Sequence, residues 1–383
     1  MEMSKGGVGM EPQFCPNADC TAHHHRQKGR WWVRWGKYST VLCGEVQRYK
    51  CRVCGKGFSE QTFSLDYYAK RKVEYSQLSR AVSGCMGVRA LGRLFQVSRG
   101  TIENKIFRLA HQALGVQGVV WGRIRLGEDL VTDGLESFWV SQYYPVNWQV
   151  LVGAQSQFIY GVDAVTIRRK GRMREEQKRR REEKERTYRV SAKGVERSVL
   201  RVYQGVDYLL EGAVSQPVQL RYDEHPAYRR AFANDAALQE WVQQGRLELR
   251  SYSSRLARTT HNPLFAANYL DRELRKDLAE HVRETTRFAR AAHTALERFM
   301  VYLWEHNYRK PFRINQPAED PLTHARKAGV SPAILRWAES WMFSKRVFLS
   351  RFPLPPPWLD VWLRMQETPL AQKHPYLPHY ALL

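Results

Sequence analysis

Two close pairs of cysteines near the N-terminus restrict the fold of this chain more than any other sequence feature. Cys15 and Cys20 form the first pair, and Cys51 and Cys54 form the second. Zinc takes four ligands at tetrahedral corners, and a close cysteine pair in a tight turn supplies two of them. The spacer of 30 residues, 21–50, is long enough for a hairpin that brings the pairs together. The sequence therefore predicts a zinc ribbon over residues 15–70, with structural Zn²⁺ held by these four cysteines.

Other side chains offer alternative ligands or different roles. Cys43 and the histidines at 23–25 lie within the spacer and are the alternatives for one ligand position. Cys85 falls in a helical pattern and is expected to be a core thiol. Six cysteines are too few for a disulfide scaffold in 383 residues, and no signal peptide opens the sequence. We therefore expect metal binding instead of oxidation, and the bacterial cytoplasm as the compartment.

The charge balance indicates a polyphosphate partner. The chain has 61 Lys and Arg against 38 Asp and Glu, a formal net charge of +23. Such an excess attracts nucleic acid or an anionic membrane surface. Because no apolar run reaches the length of a membrane-spanning helix, we expect double-stranded DNA as the partner and no membrane association.

Residues 71–115 carry the pattern of a helix-turn-helix. Apolar residues recur at helical spacing, Gln96 holds the turn position where glycine is common, and Ser98 is placed to cap the next helix. By analogy with recognition helices in the major groove, the outward-facing residues predicted to meet DNA are Arg99, Thr101, Asn104, Lys105 and Arg108. The alternative is an ordinary helical hairpin.

Residues 127–310 alternate between predicted strands and helices. Runs rich in Val, Leu, Ile, Tyr and Phe predict strands at 129–133, 147–154, 157–166, 217–222 and 247–252. Helical periodicity occurs at 195–211, 225–239, 267–283 and 286–306. A charged insert, 168–193, is interpreted as a solvated helix or loop, or as a clamp for the DNA backbone. Residues 1–14 are a predicted leader, and the tail, 311–383, packs on the core or forms an oligomer contact.

Three segments resemble the insertion-sequence-one family of transposases. They are RYKCRVCGKGF at 48–58, VSGCMGVRALGR at 82–93 and NYLDRELRKDLA at 268–279. The resemblance extends with gaps over 12–310 and omits the charged insert and the tail. It implies an α/β catalytic domain of the ribonuclease-H-like type, with a mixed five-stranded sheet and flanking helices. It also implies a DDE triad, two catalytic Mg²⁺ ions, strand transfer at inverted terminal repeats, and a homo-oligomer that holds element ends and target DNA.

Two aspartates end predicted strands in the order that this fold requires. Asp133 ends the run 129–133, and Asp223 follows the run 217–222. Carboxylate oxygens are the ligands that Mg²⁺ prefers, and a two-metal site needs several of them. We predict that both aspartates are catalytic; the alternative is that each is only a turn former.

The third acid departs from the family pattern. The family's glutamate position reads Asn268, and Asp271 lies one turn later on the same helical face. We predict that Asp271 is the third metal ligand, with three auxiliary neighbours, Asn268, Arg272 and Arg275. Glu297 is the runner-up, but its helical phase predicts that it projects into solvent. Glu136 is an auxiliary ligand or, preferably, a surface residue.

The sequence-level expectation is a DNA transposase that binds terminal inverted repeats, cuts a strand and joins it to target DNA. Two alternatives remain open. A non-catalytic DNA-binding regulator or decayed transposase would keep both binding modules without needing the triad. A nuclease on the same fold, specific for branched DNA or RNA hybrids, would need no sequence-reading modules.

Overall fold

The computed structural model describes residues 11–25, 27–188, 190–212, 216–282, 285–317 and 319–364. The N-terminal part is a short helix followed by a small antiparallel sheet. Helix α1 spans Thr21–His24, and strands β1 (Trp32–Thr40), β2 (Gly44–Cys51) and β3 (Gly57–Ser59) pair in the order β1-β2-β3. The β1–β2 hairpin brings the two cysteine pairs together, as the spacer length predicted. Phe14, in the predicted leader, is buried against Phe63 and Phe348; residues 1–10 lie outside the described residues.

Three helices follow: α2 (Tyr75–Ser83), α3 (Val88–Leu94) and α4 (Arg99–Trp121). The Ser98 hydroxyl accepts a hydrogen bond from the Thr101 N–H, which satisfies one of the free donors at the start of α4. Gln96 has a φ of 53°, so glutamine occupies the left-handed turn position that glycine often holds. The third helix was predicted to be short, but α4 has 23 residues. Its second half is apolar on all sides and completely buried, which is the pattern of a core helix.

The main sheet has five strands: β4 (Leu130–Phe138), β5 (Pro145–Gly153), β6 (Ile159–Thr166), β7 (Val218–Asp223) and β8 (Leu247–Tyr252). Their order is β6-β5-β4-β7-β8. The pairs β4–β5 and β5–β6 are antiparallel, whereas β4–β7 and β7–β8 are parallel. The prediction of an α/β fold with a mixed five-stranded sheet is therefore confirmed. Four strands lie close to their predicted bounds, but the first was predicted to end at Asp133, and β4 continues to Phe138, so Asp133 lies inside the strand and not at its end.

Helices cover both faces of this sheet. They are α6 (Gly194–Glu211), α7 (Pro226–Ala233), α8 (Ala236–Gln243), α9 (Phe265–Asp277) and α10 (Ala292–Trp304). The single helix predicted over 225–239 is two helices, because Asp235 caps a new one through the Leu238 N–H. The helix predicted over 267–283 ends at Asp277, and the one predicted over 286–306 begins only at Ala292. Helix α9 packs against β4 and β5, and α10 packs against α4.

The charged insert contains helix α5 (Glu175–Thr187), in which no residue is buried. This agrees with the interpretation as a solvated helix. Lys178 pairs locally with Glu175 and both side chains are exposed, whereas Glu185 pairs with Arg168, which precedes the helix, and Arg181 is partly covered. The role of the insert as a DNA-backbone clamp remains a prediction.

The tail packs on the core, which was one of its two predicted roles. It contains α11 (His324–Lys327), α12 (Pro332–Met342) and α13 (Pro356–Arg364), while residues 365–383 lie outside the described part. Helix α12 contacts α4, and α13 contacts α4, α6 and β6. Trp358 is buried against Trp121, the last residue of α4. Across the described ranges, no helix combines the length and the apolar character needed to cross a bilayer.

Replacing Trp358 with alanine should therefore destabilise the whole core. Removal of a buried tryptophan leaves a cavity and costs about 3–5 kcal/mol in the free energy of unfolding. Leu363→Ala is a matched control on the same helix, because Leu363 is 41% exposed, and it should cost less than about 1 kcal/mol. Urea denaturation of both variants measures the difference. Equal, small effects would show that α13 is not part of the cooperative core.

Candidate functional site

The four predicted cysteines form one cluster. Their Sγ atoms all lie within 4.8 Å of one another. The Sγ–Sγ distance is 3.7 Å between Cys15 and Cys54 and 3.8 Å between Cys20 and Cys51. Four sulfurs bound to zinc at about 2.3 Å in a tetrahedron are separated by about 3.8 Å, whereas a disulfide requires about 2.0 Å. The cluster can therefore hold a metal ion such as zinc, as predicted.

Local backbone geometry presents the sulfurs to the centre. Gly55 has a φ of 74°, which lets the chain turn back directly after the second pair. Burial raises the pKa of the Cys54 thiol, but hydrogen bonds from the Lys56 backbone and the Asn17 side chain outweigh it and lower that pKa to about 7. A thiol that ionises near neutral pH is suited to metal binding, since the thiolate is the ligand.

The residues considered as alternative ligands lie outside the four-cysteine cluster. Cys43 is exposed in the turn between β1 and β2 and is not part of the cluster. The His23 ring contacts the Cys15 carbonyl oxygen through Nδ1 at 2.6 Å and the Ser350 hydroxyl through Nε2 at 2.9 Å. The expectation for Cys85 was wrong: it lies half-buried in the α2–α3 loop with a φ of 66°, not in a helix core.

The two predicted catalytic aspartates lie on adjacent parallel strands. Leu130 pairs with Leu220 and Val131 with Arg221, so continuing the register places Asp133 level with Asp223. Alternation along the strands puts both side chains on the same face of the sheet. The pKa of Asp133 is raised to about 6, mainly by burial and also by the negative charge of Asp223, while the Gly134 N–H and Arg258 oppose the shift. The structure thus places the two carboxyl groups on neighbouring strands, where the charge of Asp223 disfavours ionisation of Asp133.

A buried polar network lies behind this pair, on the other face of β4. The Gln149 amide donates to the Thr132 hydroxyl at 2.8 Å and to the Tyr228 hydroxyl at 2.7 Å. Tyr228 is buried, and the charges of both aspartates contribute to a strongly raised pKa of its hydroxyl, after burial itself. The network fixes β4, β5 and α7 relative to one another. The sequence signal for it is Gln149, which with Asn147 interrupts the otherwise apolar run of β5.

Arg258 is a further site residue that the sequence did not reveal. It is exposed in the loop after β8, and its charge acts on Asp133 across that loop. Loop residues have no periodicity, so no pattern in the sequence could identify it.

The identity of the third acidic ligand is less well defined than that of Asp133 and Asp223. Asp271 lies on α9, the helix that packs across β4 and β5, and its Oδ1 atom is buried. The Asn268 amide donates to the Leu264 carbonyl oxygen at 3.1 Å, within its own helix. Of the two auxiliary arginines, Arg272 lies over the Tyr269 ring, and Arg275 is half-buried on α9.

The prediction that Glu297 faces solvent was wrong. Glu297 is only 5% exposed, because the rest of α10 is also enclosed, from Leu296 to Trp304. Helical phase therefore does not separate Glu297 from Asp271. Glu136 is exposed on β4, in agreement with the preferred interpretation of it as a surface residue.

The predicted DNA-facing residues divide into two groups. Arg99 and Asn104 are exposed near the start of α4, and Thr101 is half-buried beside the Ser98 cap. The outward orientation predicted for Lys105 was wrong: it is 1% exposed and its ammonium forms an ion pair with Asp66. Arg108 is half-buried and donates to the carbonyl oxygens of Leu65 and Tyr67, so it holds the preceding loop against α4.

In comparisons with known proteins, no family model matches this chain, and no curated protein matches it. The geometry of the residues themselves is therefore the basis for assigning a function.

Metal content should depend on the clustered cysteines only. We expect one equivalent of zinc per purified chain, and Cys51→Ser should lose it because three ligands bind zinc far more weakly than four. Cys43→Ser is the matched control, since it removes an exposed thiol outside the cluster and should leave the zinc content unchanged. Elemental analysis after gel filtration gives the stoichiometry. Zinc retained in full by Cys51→Ser would contradict the ligand set.

The raised pKa of Asp133 predicts a specific pH dependence of stability. The carboxyl ionises near pH 4 in the unfolded chain but near pH 6 in the folded protein, so wild-type stability falls as pH rises through this window. Asp133→Asn cannot ionise, and it should be more stable than wild type by about 1–2 kcal/mol at pH 7 but not at pH 3. The control Glu136→Gln removes an exposed carboxylate from the same strand. Thermal unfolding in metal-free buffer tests both; a pH-independent effect of Asp133→Asn would contradict the assigned pKa.

Proposed function

We propose that this protein is a DNA transposase that binds the ends of an insertion sequence and catalyses metal-dependent strand cleavage and strand transfer. The observation that carries the proposal is the placement of Asp133 and Asp223 on adjacent parallel strands, with the carboxylate of Asp223 raising the pKa of Asp133. Two acids in such a place lose free energy as carboxylates unless a cation offsets their repulsion.

The connectivity of the sheet supports a ribonuclease-H-like assignment for the catalytic domain. Three antiparallel strands, β4 to β6, are followed by a crossover to β7 and then β8, both parallel to β4. Helices α6, α7 and α9 occupy the two faces. In this arrangement the first and fourth strands in chain order are neighbours, which is what brings the two aspartates together.

The donor set fits a hard divalent cation such as Mg²⁺. Asp133 and Asp223 offer carboxylate oxygens, and Asp271 is the candidate third ligand on the helix that packs across β4. When bound, such ions activate the attacking oxygen and stabilise the leaving oxygen of a phosphodiester. The hydrogen bonds of Gln149 hold β4, and with it Asp133, in place. The positive charge of Arg258 acts on Asp133 and would also attract a phosphate bound beside it.

The N-terminal modules support DNA as the substrate. The outer face of the ribbon hairpin is cationic, and the guanidinium of Arg48 lies 4.4 Å from the centre of the exposed Trp35 ring. Exposed arginines also surround the α3–α4 turn, where Arg89, Arg93 and Arg99 line one concave surface. Clustered cations of this kind bind phosphates and make affinity strongly dependent on salt.

One observation favours a non-catalytic DNA-binding protein as the second candidate. Asn268 occupies the position of the family's third acid, and its amide is already bonded within α9. If neither Asp271 nor Glu297 completes a metal site, the chain retains DNA binding and lacks cleavage. The decayed transposase and the regulator are equivalent in this respect.

Cleavage should require both aspartates of the parallel strands. Purified protein incubated with labelled element ends and Mg²⁺ should nick one strand, and Asp133→Ala or Asp223→Ala should reduce the rate by at least about a thousandfold while end binding persists. Glu136→Gln is the matched control and should cleave at the wild-type rate, because its side chain lies on the opposite face of β4. Binding without cleavage in the wild-type protein would instead favour the non-catalytic candidate.

The third acid is identified by a paired substitution. Asp271→Asn should abolish most of the cleavage rate, whereas Glu297→Gln, which keeps the size of a buried side chain, should leave it within about threefold. The same gel assay gives both rates, and circular dichroism verifies that both variants fold. The reverse result, an inactive Glu297→Gln beside an active Asp271→Asn, would transfer the ligand role to α10.

A further inference from the structure

An aromatic cavity of about 390 Å³ opens at the junction of the ribbon, helix α4 and the tail. One wall is a single face of α4, on which Asn104, Phe107 and His111 recur at helical spacing. Tyr67 and Tyr68 of the loop before α2 also line the cavity, as does Trp362 of α13, whose ring packs edge-on against His111 with ring centroids 4.2 Å apart. Its volume lies within the range of small-molecule sites, about 300–1,000 Å³.

The backbone of the chain is constrained to present these rings. Tyr68 is 79% exposed and has a φ of 56°, a left-handed conformation that costs free energy for a residue with a side chain. Arg108 donates to the Tyr67 carbonyl oxygen and holds this loop against α4. The Arg346 guanidinium lies 5.2 Å from the centre of the Tyr67 ring, which adds a positive charge to an otherwise apolar wall.

Two ring nitrogens in the cavity wall have no hydrogen-bond partner in the part of the chain that the structure describes. They are Nε1 of Trp362, a donor, and Nε2 of His111. The Nδ1 atom of His111 donates to the Phe107 carbonyl oxygen, so Nε2 is an acceptor, and burial lowers the pKa of this histidine to about 4. Trp362 is 6% exposed. Both nitrogens are buried where the Trp362 ring packs edge-on against His111, so they lie behind the open part of the cavity wall.

The cavity adjoins a basic surface groove. Tyr67 and Tyr68 also line a larger groove, which includes Arg48, Lys70 and Arg71. Arg71 lines in turn the concave surface at the α3–α4 turn. A nucleic-acid backbone that follows these cations from the ribbon to the start of α4 passes the mouth of the aromatic cavity.

We propose that this cavity binds one unpaired nucleobase of the DNA that lies along the basic groove. The aromatic rings of the wall offer faces on which a base stacks, and the side chains of Asn104 and Arg108 place hydrogen-bonding groups beside them. The position next to cations selects a ligand attached to phosphates over an uncharged apolar molecule. The inference rests on the proposed DNA-binding function and adds to it a structural requirement: the bound duplex has one base out of the helix.

The test compares two DNA probes. One is a short duplex with a single central extrahelical 2-aminopurine, and the other is the same duplex fully paired. Because stacking of one base contributes about 1–3 kcal/mol, wild-type protein should bind the bulged probe at least about fivefold more tightly than the paired probe at the same salt concentration. The fluorescence of the 2-aminopurine should be quenched on binding. Anisotropy gives the affinities.

Three variants locate the effect. Phe107→Ala should remove the preference and the quenching but leave affinity for the paired duplex unchanged, because Phe107 lines the cavity and not the groove. Phe107→Leu keeps most of the apolar volume and should also lose the preference and the quenching. It therefore tests the role of the Phe107 ring if the alanine variant does not fold. Phe352→Leu, at another half-buried phenylalanine, should retain the preference.

The outcomes separate this inference from the proposed function. A wild-type protein that binds neither probe would overturn both. Equal binding of the two probes would overturn the base pocket alone and leave DNA binding intact. A preference that persists in both Phe107 variants would place the unpaired base elsewhere and equally reject this cavity.

Discussion

Two carboxylates held side by side on the parallel strands β4 and β7 are the constraint around which the large domain is organised. Asp133 is half-buried next to Asp223, and neither its burial nor that neighbour favours its charge. Hydrogen bonds between Gln149, Thr132 and Tyr228 on the opposite face of the sheet hold the strands in place despite the free energy lost by burying Asp133. A carboxyl group whose pKa is raised by burial and by a neighbouring acid is a candidate for a functional site.

The second half of α4 places the helices α2 and α3 relative to this site. Its buried residues pack on α10, α12 and α13, so the helix that begins at the α3–α4 turn ends inside the core of the α/β domain. Gly115 and Gly118 allow the closest approach, because a side chain at either position would collide with Val347 or Leu354 of the tail. A single helix of 23 residues between the two parts gives the α3–α4 turn a defined distance and direction to the carboxylates.

The sequence predicted those features that local patterns encode. The strands are short apolar runs, the cysteine pairs have the spacing of metal ligands, and Gln96 lies in the turn where the helix-turn-helix pattern placed it. It failed where distant residues decide orientation. The charge of Lys105 suggested solvent, but its partner Asp66 lies 39 residues away; Glu297 was assigned to solvent because nothing in α10 alone indicates that α4 encloses it. The site residue Arg258 lies on a loop and has no pattern at all.

The metal cluster and the tail are also connected, and this links the zinc ribbon to the aromatic cavity. His23 bonds to the Cys15 carbonyl oxygen on one side and to Ser350 on the other, and Phe348 packs against Phe14 and Phe63 of the ribbon. The residues immediately before and after Phe348, Val347 and Leu349, line the cavity. A ribbon that loses its metal loses the fixed position of Cys15, and with it one anchor of the segment that forms the cavity wall. The cysteine cluster therefore stabilises more than its own small sheet: it sets the shape of the surface on which DNA is proposed to lie.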